Sequence, residues 1–297
     1  MEIAPSLSVT NQVIIMLPRI VARLDIKGNQ LCKGIHLEGL KYLGPASTFA
    51  KHYYEEKADE LLFMDCVASL YQRNSLYEVI EETAKNIFIP LTVGGGIRSI
   101  ADIQNVLNAG ADKVAINTEF LKRPEFLEEA ITHFGASTIC VSIVTKRNLQ
   151  GQSTCYINNG RDNTRKDALE WVNEINNAGA GEIILTSIDQ EGTGLGYDMD
   201  LIKQISEITN IPLIVGGGAG NINHIEEGIK GAQVSGVSLA SIIHYDAIKN
   251  IPELESTQAQ ESSFTILNEK KSFDKIEPAS ILEIKNQLIK QGIICRT

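Results

Sequence analysis

The sequence predicts an α/β protein, a (β/α)8 TIM barrel with a two-fold half-barrel internal repeat, and three observations carry that prediction. First, Ala58-Asp59-Glu60-Leu61, Pro90-Leu91-Thr92-Val93-Gly94-Gly95-Gly96 and Gly110-Ala111 return nearly unchanged as Ala180-Gly181-Glu182-Ile183, Pro212-Leu213-Ile214-Val215-Gly216-Gly217-Gly218 and Gly231-Ala232. Glu60 to Glu182 and Gly94 to Gly216 are the same step, 182 − 60 = 216 − 94 = 122 residues, so the chain is a doubled half-structure. Second, short apolar strands alternate with helix-like segments, the rhythm of βα units. Third, the strands are continuous aliphatic and β-branched runs, as expected when both faces of a parallel sheet are covered.

In chain order the first half holds Ile20–Leu24, Leu61–Met64, Leu91–Val93 and Val114–Ile116, and the second Ile139–Ile143, Ile183–Leu185, Leu213–Val215 and Val234–Val237. Four strands per half make eight, and the even doubling argues against a six-stranded open sheet. Ser99 stands as an N-cap before Ile100, Ile103, Val106 and Leu107, with Gly110 as the stop. Ser280 with Glu283, after Pro278, opens a last amphipathic segment through Ile281, Ile284 and Leu288. The organisation read from this is an amino-terminal appendage (1–15), a barrel of seven and a half βα units (16–251), a polar insertion (252–278) and a final barrel helix with the carboxyl terminus (279–297). Met16, immediately before the first strand, competes with Met1 as the native start. The insertion is rich in Ser, Glu, Gln and Lys and has the composition of a disordered surface excursion.

Composition sets bounds. With 297 residues, 43% hydrophobic and 22% charged, the chain can bury one large core. A formal net charge of −10 disfavours nucleic acid as a partner, since phosphate backbones need basic surface. No run of 18 apolar residues and no leader-like start is present, so no membrane association is expected. Cys32, Cys66, Cys140, Cys155 and Cys295 show no CxxC spacing, so neither disulfides nor a zinc site is suggested and a reduced cytoplasmic setting follows. No metal and no cofactor is expected.

The glycine triplets follow strands three and seven, where a flexible backbone can bring N–H groups close to an anion. One triplet alone would read as a tight strand-to-helix turn. Two in symmetric positions, each followed one strand later by Asn117-Thr118 or Ala240-Ser241, suggest a ligand with a phosphate at each end spanning the barrel mouth. The expected phosphate-binding residues are Gly96, Asn117 and Thr118 at one end and Gly192, Gly218, Ala240 and Ser241 at the other.

Leu24-Asp25-Ile26-Lys27, Lys33-Gly34, Thr92 through Ile97, Gly110 through Thr118, Gly181 through Thr193 and Gly216-Gly217-Gly218-Ala219-Gly220 together resemble the HisF family, the cyclase subunit of imidazole glycerol phosphate synthase. The resemblance runs from about Leu17 to Tyr245, and the block from Ser187 to Thr193 favours the cyclase over the sister isomerase of histidine biosynthesis. It implies a lyase that takes ammonia from a HisH-like glutaminase and uses it to cleave and cyclise a bisphosphorylated ribulosyl substrate. It further implies that Arg19, Glu60, Lys113 and Glu182, each at the start of a strand, form an ammonia gate at the amino-terminal end of the barrel, and that Asp112 contacts the glutaminase. A structural ion pair is the plainer fate of any one such charge, and four together favour the gate.

The chain departs from the family at the opposite end. The cyclase needs two carboxylates at the mouth, one general acid and one general base. Asp25 supplies the first, but the repeat aligns Leu24-Asp25-Ile26-Lys27 with Ile143-Val144-Thr145-Lys146, so the second position is Val144, a step of 144 − 25 = 119. Thr145, next in line, should face away from the lumen. Arg23 replaces a small neutral residue and, two residues before Asp25, faces the same interior and can pair with it. A salt-bridged Asp25 is a poor proton shuttle and a good anchor. Asp189 is kept, while Glu191 stands for the usual Asp. Three readings stay open: a cyclase of reduced chemistry, a paralogue passing ammonia to a sugar amidotransferase for surface-polysaccharide amidino sugars, and a non-catalytic scaffold activating a glutaminase.

Overall fold

A computed structural model describes residues 17–67, 76–254 and 275–296. The expected appendage, Met16 and most of the polar insertion lie outside the described residues. The chain opens with β1 (Arg19–Lys27), β2 (Gln30–Ile35), β3 (Glu38–Pro45) and α1 (Ala46–Glu55). It continues through β4 (Glu60–Asp65), α2 (Leu76–Ala84), β5 (Leu91–Gly94), α3 (Ile100–Asn108), β6 (Lys113–Ile116), α4 (Thr118–Lys122) and α5 (Glu125–Phe134). The second half repeats the order with β7 (Ile139–Arg147), β8 (Ser153–Ile157), β9 (Asp162–Asp167), α6 (Ala168–Ala178), β10 (Glu182–Ser187) and α7 (Met199–Ile208). It then adds β11 (Leu213–Gly216), α8 (Ile222–Lys230), β12 (Gly236–Leu239), α9 (Ser241–Asn250) and α10 (Ile281–Lys290).

Eight of these strands, β1, β4, β5, β6, β7, β10, β11 and β12, pair in parallel in that order. The last returns to the first, with Arg19 opposite Gly236 and Ala22 opposite Leu239. This is the closed (β/α)8 barrel. Because side chains alternate along a strand, each strand serves two cores. Along β1, Ile20, Ala22, Leu24 and Ile26 join the layer under the helices, whereas Val21 joins Leu62, Ala115, Cys140, Ile184 and Ile214 in a separate apolar layer inside the lumen. The continuous apolar text of the strands follows from that double duty.

The expected helix starts hold. Ser99 Oγ accepts from Asp102 N at 3.2 Å, and Ser280 Oγ from Glu283 N at 3.1 Å. The last helix is bolted to the amino-terminal end of the barrel: Lys285 Nζ donates to Asp59 Oδ1 at 2.7 Å, and Asp59 Oδ2 accepts from Ile20 N at 2.7 Å.

Two boundaries correct the sequence reading. The eighth strand begins at Gly236 rather than Val234, because Ser235 N first donates to Leu213 O and only then does the ladder start. The first and fifth strands run on past the barrel rim into antiparallel hairpins that the reading did not anticipate. β2 and β3 extend β1, with Lys27 opposite Gln30, and β8 and β9 extend β7, with Val144 opposite Tyr156. The loop Gly28-Asn29 closes the first hairpin; Gly28 sits at φ 63, a left-handed conformation that the first residue of such a two-residue turn requires. The doubling therefore includes a hairpin at the mouth in each half.

Candidate active site and the barrel lumen

At the amino-terminal end of the lumen, four charges from β1, β4, β6 and β10 close into a ring. Glu60 is held by Arg19 at 2.9 Å and by Lys113 at 2.7 Å, and Glu182 by Lys113 at 2.8 Å and by Arg19. Thr92 Oγ1 adds a hydrogen bond to Glu60 at 2.6 Å. Burial pushes the Glu182 carboxyl up, but Lys113 and Arg19 outweigh it and hold the group below its ordinary value. Two residues further along each strand the lumen turns apolar, Val21 above Arg19, Leu62 above Glu60, Ala115 above Lys113 and Ile184 above Glu182. Asp112 lies beside the ring on the outer rim, exposed, with Oδ2 accepting from Leu91 N at 2.8 Å.

At the carboxyl-terminal end, the expected anion residues divide as their half-barrels do. Gly96, Asn117 and Thr118 line one cavity of about 710 Å³, open to solvent, together with Arg23, Ser142, Val144 and Asn159. Gly192, Gly218, Ala240 and Ser241 line a second of about 310 Å³, with Arg23, Glu191 and Ser238. Gly218, at φ 110, runs so close to Gly196 O that a Cβ there would stand 1.9 Å from it, so the turn demands glycine. The N-terminus of the ten-residue helix α9 opens on the second cavity. In the first, Asn159 Nδ2 is a buried donor with no partner among the described residues. Such an orphan donor suits a ligand rich in acceptor oxygens.

Between the cavities lies a buried charge cluster. Arg23 Nε donates to Asp25 Oδ1 at 2.9 Å and an Nη to Thr186 Oγ1 at 2.8 Å. Lys33, carried in by β2, pairs with Glu191. For Glu191, burial raises the carboxyl, and Lys33 and Arg23 more than offset this and leave it lowered. Asp25, named as the first carboxylate of the mouth and expected to pair with Arg23, is paired with it and lines neither cavity. Its twin Val144 lines the first cavity and packs with Leu37, Ile188 and Tyr156. Thr145 lines neither cavity.

Sequence reasoning gave no role to Lys33 and Thr186, though both stand in the motifs quoted above, and passed over the hairpin residue Asn159. Lys33 follows a Gly28-Asn29 turn whose direct neighbours, Lys27 and Gln30, are polar, so the dipeptide alone was too weak a hairpin signal to aim it back across the mouth. Nothing in the text marks Thr186 apart from its position two residues after Ile184 on the lumen face.

With this geometry, two comparisons bear on family. The model of the histidine biosynthesis protein family matches residues 19–249. The chain is also similar to imidazole glycerol phosphate synthase subunit HisF of Legionella pneumophila, 50% identical over 204 residues, 69% of this chain and 96% of that one. The chain belongs to the HisF family. HisF subunits of Natranaerobius thermophilus, 43% identical over 238 residues (80% of this chain, 94% of the relative), and of Bacillus cereus, 42% over 227 residues (76% and 90%), agree. Among the described residues of this HisF-family chain, no helix is long and apolar enough to cross a membrane.

Proposed function

We propose that this chain is the barrel subunit of a glutaminase-fed complex, taking ammonia in at its amino-terminal face and using it at the mouth on a small bisphosphorylated substrate. One observation supports the reading above all others: a single lumen carries a closed ring of four charges at one end, an apolar layer above it, and two glycine-rich cavities at the other. Neutral ammonia can cross an apolar layer that excludes ions. In this reading Arg19, Glu60, Lys113 and Glu182 are the gate, Asp112 is a contact for a HisH-like glutaminase, and Gly96, Asn117, Thr118, Gly192, Gly218, Ala240 and Ser241 hold the two phosphates. Membership of the HisF family supports imidazole glycerol phosphate formation as the reaction.

Val144 and the Arg23–Asp25 pair favour a second use of the same ammonia. With Asp25 engaged and no carboxylate opposite, proton transfer at the mouth is impaired, and ammonia passed to a sugar amidotransferase would not require it.

The experiment is co-purification with a HisH-like glutaminase. A stable complex at micromolar concentration is the expected result, since a standard interface holds at that level. Asp112→Lys should abolish it while leaving the barrel's cooperative melt in place. A chain that stays alone with the glutaminase present rules the proposal out, and a complex without glutamine-dependent product would leave the scaffold reading.

A further inference from the structure

Arg23 belongs to neither the ring nor the glycine turns, yet among the described residues it is the one side chain that lines both mouth cavities. It is 5% exposed and projects from β1 on the lumen face, two residues beyond Val21 of the apolar layer. Its described bonds, from Nε to Asp25 and from one Nη to Thr186, use two of the five N–H groups that a guanidinium offers. A guanidinium keeps its charge at any ordinary pH, so Arg23 cannot relay a proton. Its planar fork is suited instead to the oxygens of phosphates and carboxylates.

The surroundings favour that use. Among the described residues lining the second cavity Arg23 is the one cation, and the carboxylate there, Glu191, is already paired with Lys33. In the first cavity, which Asp65 and Glu119 line together with Arg98 and Lys122, the position that the repeat pairs with Asp25 is the neutral Val144. Asp25 and Thr186 hold the guanidinium in place. We propose that Arg23 is a ligand-binding, specificity-determining residue, a fixed cation that joins the two glycine cradles into one site and selects a small bisphosphorylated ligand over a monophosphorylated one. This rests on the reading of the cradles as phosphate sites and adds the residue that couples them. On this account the second carboxylate was not merely lost; with Arg23 introduced, the centre of the mouth changed from a proton-transfer site into an anion grip.

Calorimetric titration of the full chain with ribulose 1,5-bisphosphate and with inorganic phosphate as probes tests it. The wild type should bind the bisphosphate more tightly than phosphate, and Arg23→Met should weaken the bisphosphate by about 10-fold or more, the usual worth of a hydrogen bond to a charged group, and erase most of the preference. Arg23→Met leaves Asp25 buried without its partner, so Arg23→Met/Asp25→Asn is measured beside it and is expected to show the same loss in a protein that melts cooperatively. Should the double variant bind the bisphosphate as tightly as the wild type, Arg23 is only a structural partner of Asp25 and the inference is wrong, with the cradles untouched. If the wild type binds neither probe, the cradles fall and Arg23 with them.

Discussion

His244 shows how a single buried side chain ties this barrel to pH. It stacks on Tyr53, accepts or donates one hydrogen bond to its hydroxyl at 2.6 Å, and sits fully buried near Lys33, Arg23 and Glu191. Burial first, and then the charge of Lys33, pushes its imidazole down to about 3. The unfolded chain takes up a proton near the ordinary value of 6.5, which the folded protein refuses until about 3. Stability therefore falls as pH drops through that window, by up to about 1.4 kcal/mol per pH unit for this one group. In the Tyr53→Phe/His244→Phe variant, which removes both partners together, the slope of unfolding free energy against pH between about pH 4 and 6 should flatten by close to one proton. An unchanged slope in denaturant titrations would assign the acid sensitivity elsewhere. Val144 teaches the complementary lesson: it packs with Leu37, Ile188 and Tyr156, so a carboxylate placed there would be desolvated and would turn to Arg23 for a partner.

At the scale of elements, the hairpin of β2 and β3 places chemistry that the eight barrel strands alone would not. It delivers Lys33 to Glu191, and His36 N donates to Glu191 O at 2.8 Å, so the first hairpin is clasped to the loop after β10 across the mouth. Both side chains of the ion pair are 4% exposed. Removing one partner of so buried a pair costs about 3–5 kcal/mol, because the other charge is left uncompensated. Lys33→Met should lose that much in urea unfolding, and Lys33→Met/Glu191→Gln should recover most of it; equal stability of Lys33→Met and wild type would show the clasp to be solvated. The barrel strands and their caps were legible in the sequence because burial on both faces writes an unbroken apolar run and because Ser99 and Ser280 are local signals. The hairpins were not, since Cys32 to Tyr42 and Ser153 to Arg165 mix polar and apolar residues with bulges that break the two-residue period. The eighth strand was misplaced by two residues because Val234 is as apolar and buried as the ladder residues that follow.

For the whole molecule, the doubling organises function as well as fold. Each half contributes a glycine turn and a helix start to one cavity and a hairpin to the rim, whereas the ring draws Arg19, Glu60 and Lys113 from the first half and Glu182 from the second. The paired glycine turns, with the residues one strand after each, were legible because a repeat at a step of 122 compares positions with each other within one chain, and the ring through the resemblance to the HisF family. The same comparison exposed Val144. What it could not show was that Arg23 would stand between the cavities, because side-chain reach across a lumen leaves no trace in spacing. The reading proposed above is that half of the acid and base pair is gone at Val144 and that the other half, Asp25, is held by Arg23. Its most direct test is the initial rate of free-ammonium-dependent cyclisation of the ribulosyl substrate, at saturating substrate so that affinity lost with Arg23 does not mask turnover. The wild type should fall at least ~10²-fold below a relative that keeps both carboxylates. Val144→Asp alone should recover little, because Arg23 would capture the new carboxylate, and Arg23→Ala/Val144→Asp should recover more, the two sites being too close to act additively. A wild-type rate near the enzymatic median of about 10 s⁻¹ would contradict the account and leave the chain an ordinary cyclase.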